Sequence, residues 1–308
     1  MSLDDHDVDY IWMDGELVDW DDAEIHVLSH ALHYGSAVFE GIRCYDTVDG
    51  PAVFRHREHY ERLHDSAGAL AIEMEYSVDD LMEATRGLIR ENDLESCYIR
   101  PITYYGYNVL GLNPSDAPVE TAIAVWPWGA YLGEEAIEEG VDVAVSSWRK
   151  HHGSQIPPTA KMTGPYVNSI MASLEAKRNG YTEAILLDKD GTVSEGPGEN
   201  IFMVDDETIY TTPIDSSILD GVTRRSVIAL AEDHGYDVVE KRIARGELYN
   251  ADELFFTGTA AEVTPIRSVD DREIGPGSRG PVTEEIQAAF FEVTAGERDG
   301  YDDWLDPV

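Results

Sequence analysis

The sequence predicts an α+β fold of two domains, and three observations carry that prediction. Short runs rich in β-branched and aromatic residues, or alternating apolar and polar, recur along all 308 residues. Asp-Gly pairs at 14–15, 49–50 and 190–191 join several of these runs as hairpin turns, which makes the sheets antiparallel-rich. Amphipathic helical patterns lie between them and supply faces to pack on those sheets.

Taken in order, YIWMDGELVDW (10–20) reads as a hairpin around Asp14-Gly15, and GPAVFRH (50–56) as a strand. Residues 57–70 and 77–93 have helical periodicity. In the second, Leu81, Met82, Thr85, Leu88 and Ile89 share one face, and Ser77 with Asp80 forms a capping-box-like start. CYIRPITYYGY (97–107) and TAIAVWPW (121–128) read as strands. The run Trp126-Pro127-Trp128-Gly129-Ala130-Tyr131 breaks periodicity. It sets the expected boundaries: a small domain over 1–125, an interdomain loop over 126–136 and a larger domain over 137–308.

Beyond the loop, 141–148 is a strand, and 165–180 is an amphipathic helix closed by Gly180. Residues 183–195 and 199–213 are two hairpins, 221–235 is a helix, 252–260 a strand, and 282–296 the last helix.

Composition narrows the function. A net charge of −39 from 61 acidic and 22 basic residues leaves no basic footprint for nucleic acid. The acids are spread along the chain and imply a solvated acidic surface that needs counter-ions, as in a salt-rich cytoplasm. No apolar run approaches the roughly 18 residues of a membrane span, and the acidic start MSLDDHDVDY lacks signal-peptide character. Two cysteines without a CxxC suggest a reduced, cytoplasmic setting.

Only five lysines occur, and four of them, Lys150, Lys177, Lys189 and Lys241, have neighbours that suit an ordinary surface. Lys161, in PTAKMTGPY, lies among small, uncharged residues. An amine desolvated there loses its proton more readily and becomes nucleophilic toward carbonyls. SEGPGEN (194–200) sets the carboxylates Glu195 and Glu199 between glycines, where one could pair with a protonated ring nitrogen. DGVTRRS (220–226) opens a helix whose free N–H groups attract phosphate, and TGTAAE (257–262) offers a second set of backbone donors. A lysine, a carboxylate and two phosphate-type donor sites together describe pyridoxal phosphate. His26, His30, His33, His56 and His59 have helix-like spacing without HExxH or a cysteine cluster, and read as packing and hydrogen-bonding residues, with no metal expected.

The chain closely resembles the branched-chain amino acid aminotransferases, within the fold-type IV group of pyridoxal-phosphate enzymes that also holds the D-amino acid aminotransferases. The likeness runs in order through DYIWMDGELVDWDDAEIHVLSHALHYGSAVFEGIRCYD, VFRHREHYERLHDSA, YIRP, PWGAYLG, SEGPGENIF, DGVTR, TGTAAEVTPIRSVD and GPVTEEIQAAFF. The resemblance implies that Lys161 forms the Schiff base with the cofactor and moves the proton between substrate Cα and cofactor C4′. It implies Glu195 at the pyridine nitrogen, Tyr166 at the phenolic oxygen, and Arg62, Val222, Thr223 and Thr259 at the phosphate.

For the substrate it implies Thr259 and Ala260 amides with Tyr98 at the α-carboxylate, and apolar walls from Phe39, Leu110, Trp128 and Tyr131. Arg100 with Tyr34 would take a distant carboxylate. Tyr34 and Leu110 to Leu112 would complete a neighbouring subunit's site, so a homodimer or larger homo-oligomer is expected. The implied reaction moves the amino group of leucine, isoleucine or valine to 2-oxoglutarate. A D-amino acid aminotransferase and an aminodeoxychorismate lyase are the alternatives on this fold, and the YIRP and PWGAYLG blocks favour the branched-chain activity.

Overall fold

The computed structural model describes residues 8–129 and 132–308. The chain forms two compact units, one of Met1–Trp128, Ala160–Gly164 and Val293–Val308, the other of Gly129–Thr159 and Pro165–Glu292. A single passage at 126–136 was expected. Instead, the chain leaves the first unit after Trp128 and returns to it twice.

In the first unit, β1 (Tyr10–Met13) and β2 (Glu16–Asp19) close around Asp14 and Gly15, whose φ values of 46° and 93° suit the tight turn that Asp-Gly favours. Then come α1 (His30–Tyr34), β3 (Ala37–Phe39), β4 (Ile42–Thr47), β5 (Gly50–Phe54), α2 (His56–Ala69), α3 (Val78–Glu91), β6 (Cys97–Tyr105) and β7 (Val119–Trp126). A C-terminal strand, Leu305–Pro307, pairs with β5. The sheet runs C-terminal strand, β5, β4, β6, β7, β1, β2, antiparallel throughout, with β3 also paired to β6.

The face expected of α3 is the face it buries: Leu81, Met82, Thr85, Leu88 and Ile89, with the Ser77–Asp80 capping box in place. Leu63, Leu81, Leu88, Ile89 and Ile99 are fully buried, and each such side chain stabilises the fold by about 1.5–3 kcal/mol. The strands β3 and β4 share β6 as partner and are separated only by Glu40 and Gly41. That break carries Glu40 into the interior.

The second unit contains α4 (Glu134–Glu139), β8 (Val141–Arg149), α5 (Tyr166–Arg178), β9 (Glu183–Leu187), β10 (Asn200–Asp205), β11 (Thr208–Thr211), α6 (Val222–Asp233), β12 (Val238–Glu240), α7 (Arg245–Leu248), β13 (Glu253–Gly258), β14 (Glu262–Val269), β15 (Arg272–Glu273) and α8, Pro281–Thr294, whose last two residues belong to the first unit. Its sheet runs β12, β11, β10, β13, β14, β8, β9, with β15 beside β14. The centre is antiparallel, whereas β11–β12, β8–β9 and β8–β14 are parallel. Every residue of β9 is buried, as its apolar run requires of a strand covered on both faces. The 183–195 hairpin turns at Asp190-Gly191, but its return arm is short. It consists of the Leu187–Val193 bridge, two backbone bonds between Leu186 and residues 194 and 195, and the bond from Asp188 N–H to Thr192 O (2.8 Å).

Candidate active site

In the first unit, residues 160–164 run beside β3 and pair with it through one antiparallel bridge, Val38 to Met162. Phe39 N–H donates to Lys161 O (3.1 Å), Thr163 N–H to Ala37 O (2.9 Å) and Gly164 N–H to Gly35 O (3.1 Å). Two glycines allow this approach: a Cβ on Gly35, which has φ 63°, would stand 2.6 Å from Gly164 Cα. Lys161 N–H donates to Ser66 Oγ (2.9 Å), which anchors the segment to α2.

The Lys161 side chain is half-buried, with Nζ 5.0 Å from the centre of the Phe39 ring. Burial pushes its pKa down to about 8; Glu40 opposes this, Arg62 reinforces it, and Tyr98 and Arg100 make smaller contributions of opposite sign. At pH 7 the amine is therefore mostly protonated, with about a tenth of it neutral.

Behind the lysine lies a charged network that sequence reasoning missed. Glu40 is fully buried and accepts from Arg62 Nε (2.7 Å) and Nη2 (2.8 Å), with His59 Nδ1 at 2.8 Å. Burial alone would raise its pKa, but the Arg62 charge, with hydrogen bonds from His59 and Arg62, holds the carboxyl well below the usual range. Burial conversely pushes His59 down. Nothing in the sequence separated Glu40 from 60 other acids, although its place beside Phe39 in VFEG was a usable hint.

Phe39, Tyr98, Arg100 and Trp128 gather in the same unit. The Arg100 guanidinium lies 5.0 Å from the Phe39 ring centre and 5.3 Å from that of Tyr98, and donates to Tyr98 Oη (3.2 Å). Its Nε has no hydrogen-bond partner, and among the described residues the guanidinium pairs with no carboxylate. The Tyr98 and Trp128 rings are 4.6 Å apart. A Cβ on Gly41 would strike Tyr98 Oη at 2.0 Å, so only glycine lets the phenol approach the backbone there. Tyr34 and Leu110 are joined by a Tyr34 Oη bond to Leu110 O (3.1 Å), and both are exposed, as is Leu112. Tyr131 lies outside the described residues.

The second unit holds the remaining positions. Glu195 is buried, and Lys150 Nζ lies 2.5 Å from its Oε1. Asn200 Nδ2 and Leu219 N–H each donate to Oε2 at 3.0 Å. Lys150, whose charged and polar neighbours suit a surface, is thus an interior residue, 9% exposed. Its local sequence gives no sign of the long-range pairing with Glu195. Glu183 and Glu199 are also buried, and burial raises both, with Glu183 and Glu195 adding to the rise on Glu199.

Val222 and Thr223, both buried, begin α6 after Gly221, with no side chain capping the helix N-terminus. Asp220, just before the helix, does not cap it; its carboxylate pairs with Arg225 (2.9 Å) and Arg224 (3.7 Å). Thr259 and Ala260 occupy the turn between β13 and β14, and Tyr166 begins α5.

Comparison with known proteins places these features in a family. Residues 37–269 match the model of amino-transferase class IV. The chain is 52% identical to the branched-chain-amino-acid aminotransferase of Escherichia coli (strain K12) over 301 residues, 97% of each chain. The crystal structure of the Escherichia coli branched-chain amino acid aminotransferase superposes with a TM-score of 0.96 at 52% identity, covering 97% of this chain and 99% of the other. The branched-chain amino acid aminotransferase from Thermobaculum terrenum, solved in its PLP-form, superposes at 0.92 and 35% identity, over 98% of this chain and 99% of the other. The chain belongs to the branched-chain amino acid aminotransferases of the class IV aminotransferase family.

Proposed function

We propose that the chain transfers the amino group of L-leucine, L-isoleucine or L-valine reversibly to 2-oxoglutarate by a ping-pong exchange. As a member of its family it is a pyridoxal-phosphate-dependent transaminase. When bound, the cofactor withdraws electrons from the substrate Cα. The residues present fit such a group: a lysine amine driven toward its neutral form, a buried carboxylate, and a buried helix N-terminus without a side-chain cap.

Lys161 is assigned to attach the cofactor and to carry the proton between substrate Cα and cofactor C4′. Glu195 faces the ring nitrogen, Tyr166 the phenolic oxygen, and Arg62 with the amides of Val222, Thr223 and Thr259 the phosphate. The Thr259 and Ala260 amides and Tyr98 take the α-carboxylate. Phe39, Trp128, Leu110 and Tyr131 wall the side-chain pocket, and Arg100 with Tyr34 takes the second carboxylate of 2-oxoglutarate. The observation that carries this reading is the Arg100 guanidinium, aligned with Tyr98 and Phe39 and without a carboxylate partner among the described residues. An apolar pocket with one unmatched guanidinium suits both an aliphatic side chain and a distant carboxylate.

Assays of L-leucine and D-alanine with 2-oxoglutarate test the specificity, with L-leucine expected to react. Exclusive use of D-alanine, or pyruvate release from aminodeoxychorismate, would overturn it. Borohydride should fix the cofactor on a Lys161 peptide, and label on any other lysine removes the assignment.

We further infer a homo-oligomer, from exposed Ile25, Val27, Leu28, Leu32, Tyr34, Leu110 and Leu112. A monomer at assay concentration in light scattering would refute it. No described helix is long and apolar enough to cross a membrane. The buried free thiols of Cys44 and Cys97 suit a reducing cytoplasm. The charge of −39 supports life in high salt. Full activity after dialysis to very low salt would end that last reading.

A further inference from the structure

The second unit holds a buried cation that the assignments above do not use. Backbone bonds fix Lys150 and Glu195 on neighbouring residues of β9: Lys150 N–H donates to Leu187 O (2.9 Å), and Leu186 N–H donates to Glu195 O (2.9 Å). Both side chains are therefore held by strand pairing, and they meet with Lys150 Nζ 2.5 Å from Glu195 Oε1. A carboxylate accepts about four hydrogen bonds, two on each oxygen. Asn200 and Leu219 occupy Oε2, and Lys150 takes one position on Oε1. The remaining acceptor position is on Oε1, beside the ammonium.

We propose that Lys150 is a positioning residue for Glu195: its ammonium holds the negative charge on the carboxylate, so that the proton shared between Glu195 and the cofactor's ring nitrogen stays on the nitrogen. This rests on the assignment of Glu195 to that nitrogen. Two arrangements of the proton compete, carboxylate with protonated nitrogen and neutral carboxyl with neutral nitrogen. The ammonium is in contact with the carboxylate and farther from any atom hydrogen-bonded beyond it. Coulomb attraction to the near charge thus exceeds repulsion from the far one, and the charged arrangement is favoured. A nitrogen that keeps its proton is the one that draws electrons from the substrate Cα.

The test is nitrogen NMR of the holoenzyme loaded with ring-¹⁵N pyridoxal phosphate, combined with steady-state kinetics. In Lys150→Met the ring nitrogen resonance should move to the neutral-pyridine position. The kcat should fall on the order of tenfold or more, as when the partner orienting a functional group is lost, with KM changed less. Lys150→Arg should restore both. Lys150→Gln keeps a donor without charge, and should show the same displacement even if Lys150→Met does not fold. If Glu195→Gln moves the resonance while Lys150→Met and Lys150→Gln leave it in place, Lys150 is only structural and the proposal fails. If Glu195→Gln also leaves it in place, the assignment of Glu195 itself is wrong.

Discussion

Replacing Lys161 by methionine should abolish transamination and at the same time stabilise the cofactor-free protein at neutral pH. The amine titrates near pH 8 in the fold, pushed down chiefly by burial, against about 10.4 in an unfolded chain. Below pH 8 both forms are protonated, and the fold carries the full penalty of holding a charge in a desolvated place. Between about pH 8 and 10.4 the unfolded chain binds the extra proton, so stability rises with pH through that window. At about 1.4 kcal/mol for each pKa unit, the penalty at pH 7 is on the order of 3 kcal/mol. Methionine keeps the length and apolar character and removes the charge. It forfeits the amine's attraction to the Phe39 ring, about 0.5–1 kcal/mol at most sites, so a net gain of roughly 2 kcal/mol remains. Urea unfolding of both cofactor-free proteins at fixed high salt measures the gap, which should shrink to under about 1 kcal/mol near pH 10. Equal stability at pH 7, or a gap indifferent to pH, would refute the claim that Lys161 is a strained, desolvated amine.

Glu40→Gln removes the charge that balances Arg62 and His59 in the interior, and should destabilise the protein by about 3–5 kcal/mol in urea unfolding. Because Glu40 titrates well below its unfolded value, its stabilisation is present above about pH 4 and is lost as pH falls further; acid unfolding should be less steep in Glu40→Gln than in the wild type. Arg100→Met should raise KM for 2-oxoglutarate by about 10- to 100-fold, the worth of a charge-assisted pair, and leave KM for leucine within about threefold. Equal effects on both substrates would remove Arg100 from the second-carboxylate role. Gly35→Ala sets a Cβ 2.6 Å from Gly164 Cα on a left-handed backbone, so the segment that carries Lys161 must shift. Cofactor affinity measured by fluorescence titration should weaken on the order of tenfold, since about 1–2 kcal/mol of strain is introduced.

What was legible in the sequence was local. The buried face of α3 follows from helical spacing among fourteen adjacent residues, and Asp14-Gly15 forms its turn because both residues tolerate positive φ. Strand β14 was not legible: Pro265 interrupts its pattern, and the strand exists because β13 and β8 flank it. The β3–β4 break was equally hidden, since the shared partner β6 lies more than fifty residues away. In the site, scarcity drew attention to Lys161. Glu40 and Lys150 acquire their surroundings only through pairings across the fold, and no spacing rule reports those.

The five lysines bear on why an amine is kept at all in a chain whose other basic residues are arginines. Arginine is the better partner for a carboxylate and does not lose its proton in a protein. A position that must give up a proton near neutrality therefore cannot be arginine, and Lys161, held near pH 8 by burial, is such a position. Lys150 sits among carboxylates and needs only to remain a cation. Arginine should serve there. The two interior lysines thus make opposite demands on one functional group, and the Lys→Arg exchange separates them: at 161 it should abolish turnover, and at 150 it should preserve it.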